Sequence, residues 1–144
     1  MLHLETIEPG TFSVLEKLMR LKSLQPFSLV GGTALSLRYG HRTSVDLDLF
    51  SHKKFDQEPI VKALKKEFGK GYNTESKTLR WGIFCYLNDV KVDIVYHPHL
   101  LIGEIEEIEN IRMYPDVDII AMKLNAILGR GKKKDFWDLF EWCN

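Results

Sequence analysis

The sequence predicts a mixed α+β fold: a small mixed β-sheet with flanking helices, closed by two C-terminal helices. Short apolar runs that alternate with polar residues, as at 45–50, are typical of half-buried strands. Stretches with apolar residues at helical spacing, as at 58–68, separate these runs. Two further strand-like runs flank Asn88-Asp89, a pair that tolerates the positive φ angles of a hairpin turn. Together these patterns favour a mixed sheet covered by helices.

The predicted elements follow one another without a linker or an internal repeat. In chain order, their ranges are 12–25 (helix), 27–30 (strand), 33–39 (helix), 46–50 (strand), 58–68 (helix), 83–87 and 90–96 (hairpin strands), 116–130 and 135–142 (helices). The acidic stretch 104–109 remains open between a strand and a linking turn. We therefore expect a single domain over 1–144, with an N-terminal helix in 1–26, the sheet core in 27–96 and the C-terminal helices in 116–144.

Composition narrows the class of protein. The 144 residues carry 20 Lys and Arg and 20 Asp and Glu, so no net charge drives non-specific nucleic-acid binding, although a local basic patch is compatible with this balance. Cys85 and Cys143 lie far apart without metal-ligand spacing, which is typical of reduced thiols in an intracellular protein. No apolar stretch approaches the roughly 18 residues of a membrane span. We expect a cytoplasmic protein with no membrane partner.

Asp46 and Asp48 are the first candidate site residues. They lie two residues apart in a predicted strand, so their side chains leave by the same face. Like charges held side by side disfavour each other's ionised form unless a cation compensates them, and Mg²⁺ is a hard ion that takes carboxylate and phosphate oxygens. Upstream, Gly31 and Gly32 remove side chains where a backbone could approach a phosphate, just ahead of a helix that starts at Thr33. This combination indicates nucleotide chemistry.

Asp93 is the candidate for a third carboxylate. In the predicted strand 90–96 it shares one face with Lys91, while the apolar residues share the other. If this strand lies beside the strand of Asp46 and Asp48, the three carboxylates can hold two divalent ions roughly 3.5–4 Å apart. The alternative is a solvated carboxylate paired with Lys91. The glycine pair and the first two carboxylates favour the metal site.

These features resemble the signature of the nucleotidyltransferase superfamily, and more closely that of the AbiEii/AbiGii-type toxin nucleotidyltransferases of abortive-infection and toxin–antitoxin systems. The matching segments are Val30-Gly31-Gly32-Thr33-Ala34-Leu35, Arg42-Thr43-Ser44-Val45-Asp46-Leu47-Asp48-Leu49-Phe50, Asp118-Ile119-Ile120-Ala121-Met122-Lys123-Leu124 and Arg130-Gly131-Lys132-Lys133-Lys134-Asp135-Phe136-Trp137-Asp138-Leu139. The resemblance implies a nucleotidyltransferase fold and a nucleoside triphosphate (NTP) substrate with Mg²⁺, two ions in number. It also implies transfer of a nucleoside monophosphate to a cellular acceptor such as tRNA, and silencing by a cognate antitoxin.

Lys123 lies in an unusual place for a surface lysine. On the predicted helix it falls inside an apolar arc formed by Ile119, Ile120, Leu124, Ile127 and Leu128. A lysine can extend its ammonium out of such a surface, which is the alternative to a functional role. The resemblance implies a functional lysine here. Seven residues on, Arg130 projects in nearly the same direction, so both become candidates for contact with the nucleotide.

The last predicted helix offers one further acidic candidate. Asp135 falls between Leu139 and Trp142 around the helical wheel, whereas Asp138 and Glu141 lie on the polar side. Asp135 therefore matches the acidic residue that closes the family pattern. The alternative is an N-terminal carboxylate that the helix dipole stabilises.

The remaining signals are weaker. Arg42 and Ser44 lie between the glycine pair and the carboxylates, where the resemblance favours phosphate contacts and a solvated loop is the alternative. The basic run from Arg130 through 132–134 could contact an RNA backbone, but an exposed soluble loop is the simpler interpretation. His97 and His99 lack further metal ligands nearby. We interpret three tryptophans as core or helix packing residues and not as platforms for stacking bases; they are Trp81, Trp137 and Trp142.

The sequence thus leads to one main hypothesis and two alternatives. The main hypothesis is an Mg²⁺-dependent nucleotidyltransferase in which Asp46, Asp48 and Asp93 hold the metals and Lys123 and Asp135 complete the catalytic set. Gly31, Gly32 and Thr33, together with the basic and hydroxyl residues Arg42, Ser44, Lys123 and Arg130, would bind the nucleotide. The first alternative is a module of the same fold that binds nucleotide or RNA without turnover, and the second is an enzyme that modifies a small molecule such as an antibiotic.

Overall fold

The computed structural model describes residues 1–74, 79–129 and 132–143. Within them, seven strands form one sheet and five α-helices pack around it. The strands are β1 Ser28–Val30, β2 Leu47–Ser51, β3 Tyr72–Asn73, β4 Gly82–Leu87, β5 Val90–Tyr96, β6 Glu106–Ile108 and β7 Ile111–Met113. The helices are α1 Pro9–Arg20, α2 Gly31–Tyr39, α3 Gln57–Phe68, α4 Asp116–Gly129 and α5 Lys133–Cys143. The predicted mixed α+β class, with two C-terminal helices, is confirmed.

The sheet is mixed, and its order is β3-β4-β5-β2-β1-β7-β6. Strand β2 runs parallel to β5 and antiparallel to β1, while β1 runs parallel to β7. The other neighbouring pairs, β3–β4, β4–β5 and β6–β7, are antiparallel. The two strands with the predicted carboxylates, β2 and β5, are therefore direct neighbours in the middle of the sheet.

The two faces of the sheet differ in chemistry. Leu47 and Leu49 of β2 are fully buried, and so are Val92 and Ile94 of β5, as the strand alternation requires. The side chains of Asp48, Phe50 and Asp93 alternate with these residues and point to the opposite face of the sheet. A cavity separates this face from α4. Helices α1 and α3 contact β4, β5 and β7, whereas α2 contacts β1, β2, α4 and α5. The polar face of β2 and β5 thus opens toward the C-terminal helices.

The N-terminal helix begins earlier than predicted. It starts at Pro9 and ends at Arg20, and Leu24 lies in a separate short 3₁₀ turn instead of in the helix. Proline is well tolerated at the first helical position because its missing N–H would have no partner there. The apolar spacing predicted the helix correctly but not its ends.

The acidic stretch that the sequence left open is a hairpin. Strands β6 and β7 pair around Glu109 and Asn110, whose φ angles are 51° and 69°. Asn88 and Asp89 adopt the same left-handed conformation in the predicted β4–β5 turn, with φ angles of 49° and 67°. The β6–β7 turn was not recognisable from the sequence, because a glutamate such as Glu109 rarely takes a positive φ angle. Asn and Asp do so more readily, which made the β4–β5 turn predictable.

The C-terminal helices leave apolar residues exposed. Leu124 and Leu128, predicted to belong to an apolar arc of α4, are 46% and 87% exposed. Trp81, Trp137 and Trp142 are 40–51% exposed, so none is a core residue. None of the helices in the described ranges combines the length and apolarity that crossing a membrane requires.

Candidate active site

The candidate site is built on the register between β2 and β5. Asp48 lies directly opposite Asp93 in this parallel pair. On the other side of β2, Val30 is the partner of Asp48, which brings the adjoining Gly31 to the same level of the sheet. Asp46 immediately precedes the first residue of β2. The structure therefore brings together the three predicted carboxylates and the glycine turn, although they are far apart in sequence.

The carboxylates influence one another's ionisation. Burial, together with the nearby charges of Asp93 and Asp46, raises the pKa of Asp48 to about 6. Burial also raises the pKa of Asp93, with Asp46 acting in the same direction, while Lys91 and a hydrogen bond with Asp48 oppose the rise. Lys91 is thus close enough to act on Asp93, as the alternative interpretation of this residue expected. Its charge does not remove the crowding of negative groups.

The donor set fits a divalent cation, although the three groups are not already arranged around one. Asp93 Oδ1 is buried and has no hydrogen-bond partner among the described residues. Within the same residues, no group of three His, Cys, Asp or Glu side chains is placed so that it could hold a metal ion. Asp46 lies outside the regular part of β2. Two adjacent carboxylates with an unsatisfied oxygen are the kind of ligand that Mg²⁺ prefers.

Gly31 and Gly32 are each explained by a different structural constraint. Gly31 has a φ angle of +75°, and a Cβ there would lie 2.8 Å from Asp48 Oδ2. At Gly32 a Cβ would overlap the guanidinium of Arg42. Both positions therefore favour glycine, because charged side chains approach the start of α2 closely there.

In the described residues no side chain caps α2, whose N-cap position is Val30. The first backbone N–H groups of α2 are thus suited to a phosphate.

Thr33 and Ser44 bind each other. Their hydroxyl oxygens are 2.6 Å apart, and the Thr33 hydroxyl also donates to the backbone oxygen of Asp46. Because a hydroxyl has a single proton, Ser44 must then donate to Thr33. Both residues were predicted to bind nucleotide. In the structure, they hold the segment before β2 against the start of α2 and so position Asp46.

Lys123 is buried in a pair of ionic contacts. Its Nζ lies 2.8 Å from Asp135 Oδ1 and 2.8 Å from Asp138 Oδ2, and the side chains of both carboxylates are fully buried. The unusual position of this lysine on the helical wheel is thereby explained, since it faces α5 instead of solvent. Asp135 holds the lysine and is too deeply buried to be reached by a substrate.

Asp138 is the residue that the sequence reasoning missed. Its placement on the polar side of α5 is wrong, because the side chain is fully buried and binds Arg42 through two hydrogen bonds of 2.7 and 3.0 Å. His41 Nε2 is 2.5 Å from the same carboxylate. Burial acts to raise the pKa of Asp138, but hydrogen bonds with Arg42, Lys123 and His41 outweigh it, and the pKa is lowered. The sequence feature that could have indicated a role for Asp138 is its position three residues after Asp135, in the motif Lys-Asp-x-x-Asp.

Arg42 therefore contacts a carboxylate in the structure, and it lies against Gly32. Together with His41, Lys123, Asp135 and Asp138 it forms what we call the buried charge cluster. This cluster joins α4, α5 and the loop after α2 directly behind the glycine turn. Arg130, which was also predicted to bind the nucleotide, lies outside the described residues.

A cavity of about 770 Å³ extends from the carboxylates along the sheet. Gly31 and Asp48 line one part of it, and Lys123 belongs to the wall formed by α4. Further along the strands, the wall is aromatic; its residues are Phe50, Trp81, Tyr96, His97 and His99. Asp118 of α4 secures the loop over the cavity, because its two oxygens accept hydrogen bonds from the backbone N–H groups of Ile102 and Gly103. The volume is in the range typical of small-molecule sites.

The raised pKa of Asp48 predicts a pH-dependent cost to stability. An unfolded aspartate ionises near pH 4, whereas Asp48 keeps its proton up to about pH 6 in the folded protein. The free energy of unfolding should therefore fall as the pH rises through this window. We expect Asp48→Asn to be more stable than the wild type at pH 7.5 by about 1–3 kcal/mol, and to lack that fall.

Urea unfolding at a series of pH values without divalent cations measures this effect. Asp89→Asn, the same change in the exposed β4–β5 turn, is the matched control. A variant of Asp48 that is less stable than the wild type at pH 7.5 would contradict the role of repulsion.

The buried charge cluster predicts the opposite sign at Asp138. Asp138→Asn leaves the Arg42 cation without its carboxylate partner, so we expect a loss of about 3–5 kcal/mol at pH 7. Because the pKa of Asp138 is lowered, this contribution is lost as the pH falls below the usual aspartate range. Urea unfolding of both proteins should show their stabilities converging in acid.

The control for this pair is Asp56→Asn, at an exposed position before α3. A loss at Asp138 no larger than the loss at Asp56 would show that the cluster contributes little.

Comparison with known proteins agrees with this architecture. The family model of the nucleotidyl transferase AbiEii toxin of type IV toxin–antitoxin systems matches residues 13–142. An uncharacterized protein of Aquifex aeolicus, aq_aa25, is 35% identical over 130 residues, which are 88% of this chain and 62% of that protein.

Two solved structures from Helicobacter pylori resemble the fold. One is a candidate nucleotidyltransferase, with a TM-score of 0.59, 25% identity and coverage of 91% of this chain and 67% of the other. The second, JHP933, has a TM-score of 0.56, 25% identity and coverage of 92% and 66%. The chain thus spans about two thirds or less of the length of these three proteins. The match over nearly all its residues confirms the resemblance, and the chain belongs to the nucleotidyl transferase AbiEii toxin family of type IV toxin–antitoxin systems.

Proposed function

We propose that this protein is an Mg²⁺-dependent nucleotidyltransferase that transfers a nucleoside monophosphate from an NTP to a hydroxyl acceptor. The observation that carries the proposal is the register that sets Asp48 opposite Asp93 beside the glycine turn. Like charges this close, in a partly buried setting, destabilise the folded protein unless they serve a ligand. Asp48 lines the cavity and has a raised pKa, and a perturbed carboxylate in a cavity is a recurrent mark of functional sites.

Asp48 and Asp93 would hold the cation, with Asp46 joining them as the third ligand. When bound, divalent cations neutralise phosphate oxygens and lower the pKa of an attacking hydroxyl. The uncapped N–H groups at the start of α2 lie at the level of Asp48, so they are suited to donate to the triphosphate. Gly31 and Gly32 keep this approach free of side chains.

The transfer itself is a substitution at phosphorus. The acceptor oxygen forms a bond to the α-phosphorus, the bond from that phosphorus to the bridging oxygen of the β-phosphate breaks, and pyrophosphate leaves. The hydroxyl proton passes to a carboxylate, and Asp93 is suited to receive it. Asp93 lies directly opposite Asp48 in the sheet, next to where the cation and the acceptor hydroxyl would meet.

The buried charge cluster has a supporting role in this proposal. Lys123 lines the cavity and is placed to contact the triphosphate, but its ammonium is already held by Asp135 and Asp138. Arg42 is likewise held by Asp138 against Gly32. We therefore assign Asp135 and Asp138 as positioning residues, and Arg42 as a residue that maintains the glycine turn. Arg130 stays a proposed nucleotide ligand on sequence grounds alone.

The biological setting proposed here follows the family. A type IV toxin–antitoxin family suggests an antitoxin partner, with the chain acting as the toxin, including in abortive infection. A tRNA or another RNA is the proposed acceptor, and the cytoplasm, where NTP and RNA occur together, is the proposed location.

The test is transfer of label from α-labelled NTP in the presence of Mg²⁺ and total RNA. We expect Asp46→Asn/Asp48→Asn to lose at least about 100-fold of the transfer rate, because it removes the charges that hold the cation. The protein should stay folded by circular dichroism, since asparagine has nearly the same size and shape as aspartate and the change at Asp48 removes a repulsion. Asp89→Asn should keep the wild-type rate. Equal rates for the double variant and the wild type would exclude the proposed site.

A module that binds nucleotide without transferring it is the second candidate. The observation in its favour is that no three potential metal ligands in the described part of the chain are preassembled. Saturable Mg²⁺-dependent NTP binding without transfer to RNA or to small molecules would support it. Label found in small molecules but not in RNA would instead indicate an enzyme of the antibiotic-modifying type.

A further inference from the structure

The aromatic part of the cavity lies at a defined distance from the carboxylates. Along β5, Asp93 is level with Asp48, and Tyr96 lies three residues further on. The Tyr96 backbone N–H donates to the Trp81 backbone oxygen at 2.8 Å, so Trp81 is level with Tyr96. Three residues of strand span about 10 Å. A ribose and a base joined to a phosphate near Asp48 have about that reach.

Trp81 is oriented by a neighbouring ring. Its ring packs edge-on against Phe84, with centroids 5.0 Å apart and an interplanar angle of 73°. Phe84 lies directly opposite Asp93 in the β4–β5 register, so the two side chains share a face of the sheet. Trp81 nevertheless stays 51% exposed. The ring is thus fixed on the carboxylate face while half of its surface remains available.

Two histidines also line this end of the cavity. The His97 ring lies 5.1 Å from the Phe50 ring and 4.5 Å from the His99 ring, centroid to centroid. Burial lowers the pKa of His97, and His99 lowers it further. His97 is therefore an uncharged ring at neutral pH. Such a ring is a poor ligand for a phosphate and a good surface for an aromatic group.

The cavity therefore has two chemically different ends. Near Gly31 it offers the Asp48 carboxylate and the start of α2 with its N–H groups, which suit a metal-bound triphosphate. Near Trp81 it offers aromatic rings. We infer that the aromatic end, formed by Trp81, His97 and His99, is a stacking site for the base of the NTP.

This inference rests on the proposed function and extends it to recognition of the base. Stacking reads the face of a base and not its hydrogen-bonding edges, so the site should accept more than one base. Loss of one stacking partner typically weakens binding by about 5- to 150-fold. The base would thereby fix the ribose and α-phosphate in line with the carboxylates.

Calorimetric titration with each of the four NTPs, and with inorganic triphosphate, tests the inference when Mg²⁺ is present throughout. Trp81→Ala should weaken NTP binding by about 5- to 150-fold and leave inorganic triphosphate binding unchanged, because that ligand has no base. Trp81→Phe should restore most of the affinity. Trp137→Ala is the matched control, since Trp137 is also 51% exposed but lies on α5, away from the cavity.

Fluorescence supplies an independent readout. A base stacked on Trp81 should quench part of the wild-type emission, and that part should be absent in Trp81→Phe although binding persists. An unchanged NTP affinity in Trp81→Ala, or an equal loss for inorganic triphosphate, would overturn the inference.

The inference and the proposed function can fail separately. If the wild type transfers nucleotide while Trp81→Ala keeps its NTP affinity within about twofold, only the stacking site is wrong. If no transfer occurs but NTP and free nucleosides bind through Trp81, the stacking site stands and the enzymatic proposal is wrong.

Discussion

The parallel register of β2 and β5 is the constraint on which the site depends. It holds Asp48 opposite Asp93 although the two carboxylates repel each other. The burial of apolar side chains on the other face of the sheet stabilises this register. Leu47, Leu49 and Ile94 are fully buried, and a slip by one residue would turn the whole apolar set of a strand to the wrong face. Burial of these side chains therefore fixes two carboxylates where their own electrostatics disfavour them. The raised pKa of Asp48 is the visible consequence of this burial and crowding.

The buried charge cluster forms the second level of the architecture. Asp138 joins Lys123 of α4 to Arg42 of the loop after α2, and Arg42 in turn lies against Gly32. The C-terminal helices are thus tied to the turn that opens toward the carboxylates, and α4 becomes one wall of the cavity. Within the cluster, the cations of Arg42 and Lys123 balance the carboxylates of Asp135 and Asp138 in charge. Burying these four groups is therefore tolerable only while all of them are present. The cluster explains why basic residues that the sequence assigned to the nucleotide contact carboxylates instead.

Local features of the fold were predictable and distant ones were not. The alternation at 45–50 and the Asn88-Asp89 turn are set by neighbouring residues, so β2 and the β4–β5 hairpin could be predicted. The pairing of β2 with β5 could only be assumed, because no local pattern specifies which strands adjoin. Asp138 was placed on the polar side because the helical wheel does not show Arg42, which lies 96 residues away. Trp81 was interpreted as a packing residue for the same reason, since only the folded sheet brings Trp81 and His97 to the cavity that Asp48 lines.

The most direct measurement of the central claim is anomalous diffraction from crystals of the wild-type protein grown with Mn²⁺ and a non-hydrolysable NTP analogue. Mn²⁺ takes the same oxygen ligands as Mg²⁺ and can be located by its anomalous signal. The account predicts a peak bridging Asp48, Asp93 and the phosphates, next to Gly31. Clear density for the analogue with no manganese peak at these carboxylates, or with the peak elsewhere in the molecule, would contradict it.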